Sequence, residues 1–94
     1  MPHDSGHQFL RKQCMATIWR LPQALAESGK TRSPWYQDIT RGLMTRPVKI
    51  SRRAAGWPAD EVKAINAARI AGIGEAGIKA LVDRLHAKRT EAAQ

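Results

Sequence analysis

The stretch LPQALAESGKTRSPWYQDITRG, residues 21–42, contains two short predicted helices separated by a tight turn. Pro22 suits the first turn of the first helix, and Leu21 and Leu25 lie one helical turn apart. Gly29 is expected to end this helix, because glycine adopts the left-handed conformation of a C-cap without strain. A helix of about seven residues is too short to be stable alone, so we expect it to pack on other elements.

The second predicted helix has a polar side and an apolar side. We expect Ser33 as its N-cap, Pro34 at its first helical position, and Gly42 as its C-cap after Arg41. At 100° per residue, one side carries Trp35, Tyr36, Ile39 and Leu43. The opposite side carries Gln37 and Arg41 at its centre, with Ser33, Pro34 and Asp38 beside them. A short helix, a turn and an amphipathic helix form the outline of a helix-turn-helix.

A short β-hairpin is predicted next. The segment 46–50 alternates basic and apolar residues after its proline, as a half-buried strand does, and residues 55–57 form the returning strand. Residues 51–54 form the turn and place Arg52 and Arg53 at its tip. Upstream of the first helix, residues 16–20 are a further short β-prone run.

Two more helices follow the hairpin. Pro58, Asp60 and Glu61 favour a helix start, and Val62, Ile65, Arg69 and Ile70 continue the pattern until Gly72-Ile73-Gly74 breaks it. The last helix is predicted over 75–89, with one apolar stripe of Ile78, Leu81, Val82 and Leu85. We expect this stripe to close the core; the alternative is that it pairs with a second subunit or with a neighbour on DNA. The 94 residues thus predict one domain, 16–89, between a disordered tail at 1–15 and a frayed tail at 90–94.

The charge indicates a polyanionic partner. Sixteen Lys and Arg against eight Asp and Glu give a net charge of +8, and the stretch 30–53, with seven basic residues and one acid, carries 7 − 1 = +6 of it. DNA, RNA and an anionic membrane surface all fit such an excess. The last helix mixes both signs of charge, which argues against a membrane anchor. The basic residues gather on the predicted helix-turn-helix and hairpin, which favours double-stranded DNA over a structural RNA-binding role.

No chemistry beyond binding is indicated. The sequence has no carboxylate pair or phosphate loop, and its glycine-rich segment 72–77 follows a helix rather than a strand, so we expect neither an enzyme nor a cofactor. His3 and His7 have helical metal-ligand spacing, but nothing completes a metal site, and none is expected. Cys14, the single cysteine, is expected to be a small apolar residue rather than a nucleophile. One cysteine, no secretory signal and no long apolar run predict a cytoplasmic protein.

Several segments of the sequence, in order, resemble the AlpA family of phage and prophage regulators. The first are Arg20-Leu21-Pro22, the run 28–33, Tyr36 and Ile39. They are followed by residues 46–50 and then Ala55-Gly56-Trp57-Pro58 with Glu61-Val62. The segment 65–72 and then Ile78, 80–82, Leu85 and His86 resemble the C-terminal extension of that family. The likeness covers roughly residues 18–88, and Pro-Val-Lys followed by Gly-Trp-Pro is its most specific part.

This resemblance implies a mainly α fold with a small β-hairpin wing, namely a winged helix-turn-helix of the excisionase and MerR type with an extra C-terminal helix. It implies a DNA-binding transcriptional regulator; the alternative is an excisionase that bends attachment-site DNA for an integrase. An integrase or recombinase, RNA polymerase and a second copy on DNA are the candidate protein partners. The sequence departs from the family pattern at Pro34, where a polar residue is common, and at Ser51-Arg52-Arg53, where a glycine is common.

In such a fold the second helix would enter the major groove and the wing would lie over the backbone. The expected contacts on the recognition helix are Thr31, Arg32, Ser33, Gln37 and Arg41, with Arg32 foremost. The expected contacts on the wing are Arg46, Lys49, Arg52 and Arg53. Two alternatives stay open: Arg41 as a cation that only complements the helix dipole, and Arg53 as a partner of an acid in the third helix. Trp19, Trp35 and Trp57 are expected in the core rather than as base-stacking platforms.

Overall fold

The protein is mainly helical, with a small three-stranded antiparallel sheet. The computed structural model describes residues 17–92, so His3, His7, Cys14 and the predicted tail at 1–15 lie outside the described residues. The elements are β1 (Ile18–Trp19), α1 (Leu21–Ser28), α2 (Arg32–Arg41), β2 (Val48–Ser51), β3 (Ala54–Pro58), α3 (Ala59–Ile70) and α4 (Glu75–Ala92). Among these helices, none has the length and apolar character needed to cross a bilayer.

The central strand of the sheet is β3, which pairs with β1 on one side and with β2 on the other. The predicted hairpin is confirmed: Val48 pairs with Gly56 and Lys49 with Ala55, and the turn lies at residues 52–53. The β-prone run before α1 supplies β1, which places Trp19 opposite Trp57. A bulge between Lys49 and Ser51 interrupts the alternation of β2, and Ile50, expected to be half-buried, is 45% exposed.

Both helices of the 21–42 stretch end as predicted. Gly29 and Gly42 take left-handed conformations, with φ of +66° and +80°, and their N–H groups donate to carbonyls of the last helical turn. The start of α2 differs from the prediction, because Thr31 and not Ser33 is the N-cap and Ser33 is already helical. The Trp35 N–H donates to the Thr31 carbonyl over 3.2 Å, which closes the first turn two residues early. At the other end of the chain, α4 continues three residues past the predicted end at 89.

The core forms where the helices meet β3. Trp35 of α2 packs edge-to-face on Trp57 of β3, with ring centroids 5.2 Å apart and planes at 83°. The indole Nε1 of Trp57 donates to the Thr45 carbonyl over 2.9 Å. Trp35 and Trp57 are buried as predicted, and Trp19 is half-buried against the same cluster. The stripe of α4 closes this core, as expected: Ile78, Val82 and Leu85 are buried in it and Leu81 packs against it.

Three side chains of the predicted apolar and polar faces lie elsewhere. Ile70, read as part of the apolar face of α3, is 87% exposed, because it lies about 140° around the helix from the buried Ile65. Tyr36 is 44% exposed at the margin of the core. Asp38, expected on the outer side of α2, is only 7% exposed, because cations from two other segments of the chain surround it.

Candidate nucleic-acid interface

The outward face of α2 forms a shallow open groove. Its lining residues are Arg32, Ser33, Tyr36, Gln37, Thr40 and Arg41. Four of the five predicted recognition residues therefore share one surface, and the fifth, Thr31, is exposed at the N-cap immediately before it. Two cationic guanidinium groups, an amide and three hydroxyls make this a surface rich in hydrogen-bond donors.

Tyr36 and Thr40 also line this groove, although Tyr36 was predicted on the apolar side of the helix and Thr40 was not singled out. Tyr36 stands edge-on to Trp57, with ring centroids 6.4 Å apart, so one end of its ring is fixed by the core. The hydroxyl of Thr40 donates to the Tyr36 carbonyl over 3.2 Å. Tyr36 and Thr40 are four residues apart, as are Arg32 and Tyr36. This i, i+4 spacing is the sequence signal that the three residues share one face of α2.

The hairpin carries its basic side chains into solvent. Lys49, Arg52 and Arg53 are exposed on β2 and at the turn. The alternative role for Arg53, a pair with an acid of α3, has no support among residues 17–92, where Arg53 has no ion-pair partner. Edge-to-face contacts of Trp57 with Trp35 and Tyr36 join this hairpin to α2.

Arg46 lies at the base of the hairpin, where α4 crosses it. Its backbone N–H donates to His86 Nε2 over 3.1 Å, and its carbonyl accepts from the Arg89 guanidinium over 2.7 Å. Burial, followed by the charges of Arg46 and Arg89, lowers the pKa of His86 below its ordinary 6.5. The neutral imidazole favoured in this way is the form that can accept the Arg46 N–H. The side chain of Arg46 itself is exposed.

The basic residues divide into those that hold the fold and those that face solvent without a counter-charge. Lys30 and Arg69 both contact Oδ2 of Asp38, over 2.6 and 3.1 Å, which joins the turn before α2 to α3. Burial alone raises the pKa of Asp38, but hydrogen bonds and charge from Lys30 and Arg69 outweigh burial and hold this pKa below 3.8. Arg89 of α4 likewise pairs with the buried carboxylate of Glu61 in α3.

Within the stretch 30–53, five cations have no carboxylate within 4 Å among the described residues. They are Arg32, Arg46, Lys49, Arg52 and Arg53. All five are exposed. Arg41 is the exception on the groove, because it forms an exposed ion pair with Glu75 of α4 over 2.9 Å. Within the stretch 30–53, the free positive charge therefore lies at the start of α2 and on the hairpin with its base.

No sequence signal linked Asp38 to Arg69 or Arg41 to Glu75, since these partners are 31 and 34 residues apart.

Comparison with known proteins adds no relative from which a role could be carried over. The chain matches no protein-family model, no curated protein and no solved structure.

Proposed function

We propose that the chain is a sequence-specific double-stranded DNA-binding transcriptional regulator of phage, prophage or mobile-element type, built as a winged helix-turn-helix. The observation that carries the proposal is the groove on α2, where Arg32, Gln37 and Arg41 face solvent from one helix. Helices α1 and α2 are joined by only three residues, 29–31, and the hairpin of β2 and β3 follows, in the order that such a fold requires.

The side chains of the groove have the chemistry that reads base edges. An arginine can donate two hydrogen bonds to O6 and N7 of guanine, and a glutamine can pair with N6 and N7 of adenine. Arg32 lies in the first turn of α2, the part of a recognition helix that comes closest to the bases. Thr31 and Ser33 at the same end are suited to phosphate oxygens, together with the free N–H groups of the first turn.

The hairpin supplies the contacts that do not read sequence. Lys49, Arg52 and Arg53 would lie along the phosphate backbone beside the groove that α2 enters. With about five phosphates neutralised, the logarithm of the association constant should fall with the logarithm of salt concentration at a slope near −4.5. Four of these contacts would come from cations that are exposed and have no counter-charge among the described residues, namely Arg46, Lys49, Arg52 and Arg53.

The resemblance to AlpA-type regulators supports the biological class that we propose. An excisionase would use the same surface of α2 and the hairpin, and it differs in where its target DNA lies. A structural RNA-binding protein is the competing class, and its binding would follow shape and single-stranded loops rather than a duplex sequence.

A selection from random duplexes followed by binding measurements tests the proposal. The enriched duplex, a shuffled duplex and a structured RNA of equal length would be titrated by fluorescence anisotropy at several salt concentrations. We expect the enriched duplex to bind tightest, and Arg32→Ala to reduce its advantage over the shuffled duplex by about 5- to 150-fold. Arg84→Ala, which removes an exposed arginine of α4, is the matched control.

Two results would contradict the proposal. Equal binding of the enriched and shuffled duplexes, unchanged by Arg32→Ala, would mean that α2 reads no sequence. Tighter binding of the RNA than of either duplex would contradict the assignment to double-stranded DNA. Location of the enriched sequence at a promoter or at an attachment site then separates a regulator from an excisionase.

A further inference from the structure

Arg41 is the one groove cation with a carboxylate partner among the described residues. One of its terminal nitrogens lies 2.9 Å from Glu75 Oε2, and the two side chains are 57% and 61% exposed. Glu75 is the first residue of α4, which begins beside the end of α2: a Cβ on Gly42 would lie 3.7 Å from Cγ of Lys79. The fold therefore fixes an acid next to the last basic residue of the groove.

The environment of this pair differs from that of the other ion pairs. Asp38 and Glu61 are buried, and the arginines that bind them, Arg69 and Arg89, also donate to backbone carbonyls. Arg41 and Glu75, in contrast, are both largely in water. Exposed pairs contribute about 0.2–1 kcal/mol, so the fold does not depend on this contact. An arginine held so weakly can exchange its carboxylate for another anion.

We propose that Glu75 is a specificity-determining residue that competes with DNA for the Arg41 guanidinium. In the free protein the carboxylate occupies Arg41, and a duplex must replace it before Arg41 can donate to a guanine or a phosphate. This inference rests on the proposed function, since it assigns Glu75 to the same surface of α2. Glu75 then lowers the affinity of every complex in which Arg41 touches DNA, and it leaves complexes without that contact unaffected.

Removal of a negative charge also strengthens binding to DNA at long range, so this effect must be separated from the exchange. Asp83 offers the matched control: it is an exposed acid of the same helix and has no ion-pair partner among the described residues. A double-mutant cycle with Arg41 separates the two effects. Once Arg41 is replaced, Glu75 can no longer compete for its guanidinium, so only the long-range effect of the Glu75 charge remains.

The experiment titrates the enriched duplex into the full chain and five variants: Glu75→Gln, Asp83→Asn, Arg41→Ala, and Arg41→Ala combined with each neutralised acid. We expect Glu75→Gln to tighten binding by about 1.5- to 5-fold, the range that an exposed ion pair supports. We also expect its salt slope to become more negative by up to about 0.9, because one more cation contacts phosphate without leaving a carboxylate. In the Arg41→Ala background Glu75→Gln should change affinity no more than Asp83→Asn does.

Each other outcome overturns the inference. Weaker binding by Glu75→Gln would mean that the carboxylate orients Arg41 for DNA instead of withholding it. A gain equal to that of Asp83→Asn, or one that persists without Arg41, would mean that only long-range charge acts. In these cases the wild-type chain still binds the duplex and the proposed function stands, whereas failure of the wild-type chain to bind duplex removes both. Circular dichroism and thermal unfolding of each variant establish that it is folded.

Discussion

Arg89 of α4 donates hydrogen bonds to both carboxylate oxygens of Glu61 in α3, over 2.8 Å from Nε to Oε2 and 2.5 Å from a terminal nitrogen to Oε1. The same guanidinium donates to the Arg46 carbonyl at the base of the hairpin. One side chain near the end of the described chain therefore joins α4, α3 and the segment that leads into β2. Glu61 is buried, so the loss of this partner would leave its carboxylate without a counter-charge.

Replacement of Arg89 by alanine is expected to lower the free energy of unfolding by about 2–4 kcal/mol, because it leaves a buried carboxylate without a cation. Arg89 is itself one-quarter exposed, which keeps the loss below the upper range for buried pairs. Urea denaturation measures the change. Arg84→Ala on the same helix is the control and should stay within about 0.5 kcal/mol of wild type. Equal stability of the two variants would contradict the role of Arg89.

Arg53→Ala is expected to weaken binding to the enriched and shuffled duplexes by the same factor, because a phosphate contact carries no sequence information. The salt slope should become less steep by about 0.9. Anisotropy titrations at four salt concentrations give both numbers, and Lys88→Ala, an exposed cation of α4, controls for net charge. A changed ratio between the two duplexes, or an unchanged slope, would place Arg53 away from the backbone.

The stability of the fold should decrease as the pH falls from 7.5 to 5.5. The pKa of His86 is held below 6.5, so the unfolded chain binds a proton at this position more readily than the folded chain does. Stability therefore rises with pH in this window and is lost as the pH falls below 6.5 toward the folded-state pKa. Urea titrations at both pH values measure this, and His86→Gln should remove most of the dependence. A variant with the same pH dependence as wild type would rule out His86 as the source.

Gly56→Ala is expected to destabilise the protein by about 1–3 kcal/mol through overpacking. A Cβ at this position would lie 2.7 Å from both Ile18 Cγ2 and the Trp19 carbonyl oxygen, so β1 would have to move away from β3. Gly74→Ala is the matched control, because a Cβ there meets no atom within 4 Å and φ is not positive. Thermal unfolding of both variants measures the difference in stability. A Gly56→Ala protein as stable as the Gly74→Ala protein would contradict this packing.

Local patterns predicted the elements of this fold well. Gly29 and Gly42 ended their helices, residues 46–57 formed a hairpin, and the stripe of α4 entered the core, because each signal lies within a few residues. Asp38 was assigned to the wrong side of α2 for the converse reason. Periodicity along α2 gives no sign that Lys30 and Arg69 converge on its carboxylate from other segments.

The candidate site divides in the same way. The helical spacing of Gln37 and Arg41 was sufficient to predict that they share the outward face of α2, and both line its groove. Arg32, predicted only at the entering end of the helix, lines the same groove. The ion pair of Arg41 with Glu75 depends on where α4 begins relative to α2, which only the tertiary structure shows. Binding of DNA by this face and by the hairpin stays a prediction.

Strand β3 passes into α3 without an intervening residue, since Pro58 ends the strand and Ala59 begins the helix. The ring of Pro58 fixes one of the two backbone torsions at this junction, and Trp57 beside it is buried. This direct junction limits how far the hairpin can rotate relative to α3. If the hairpin binds DNA as proposed, a displacement of its tip at Arg52 and Arg53 would act directly on the start of α3, where Glu61 pairs with Arg89 of α4.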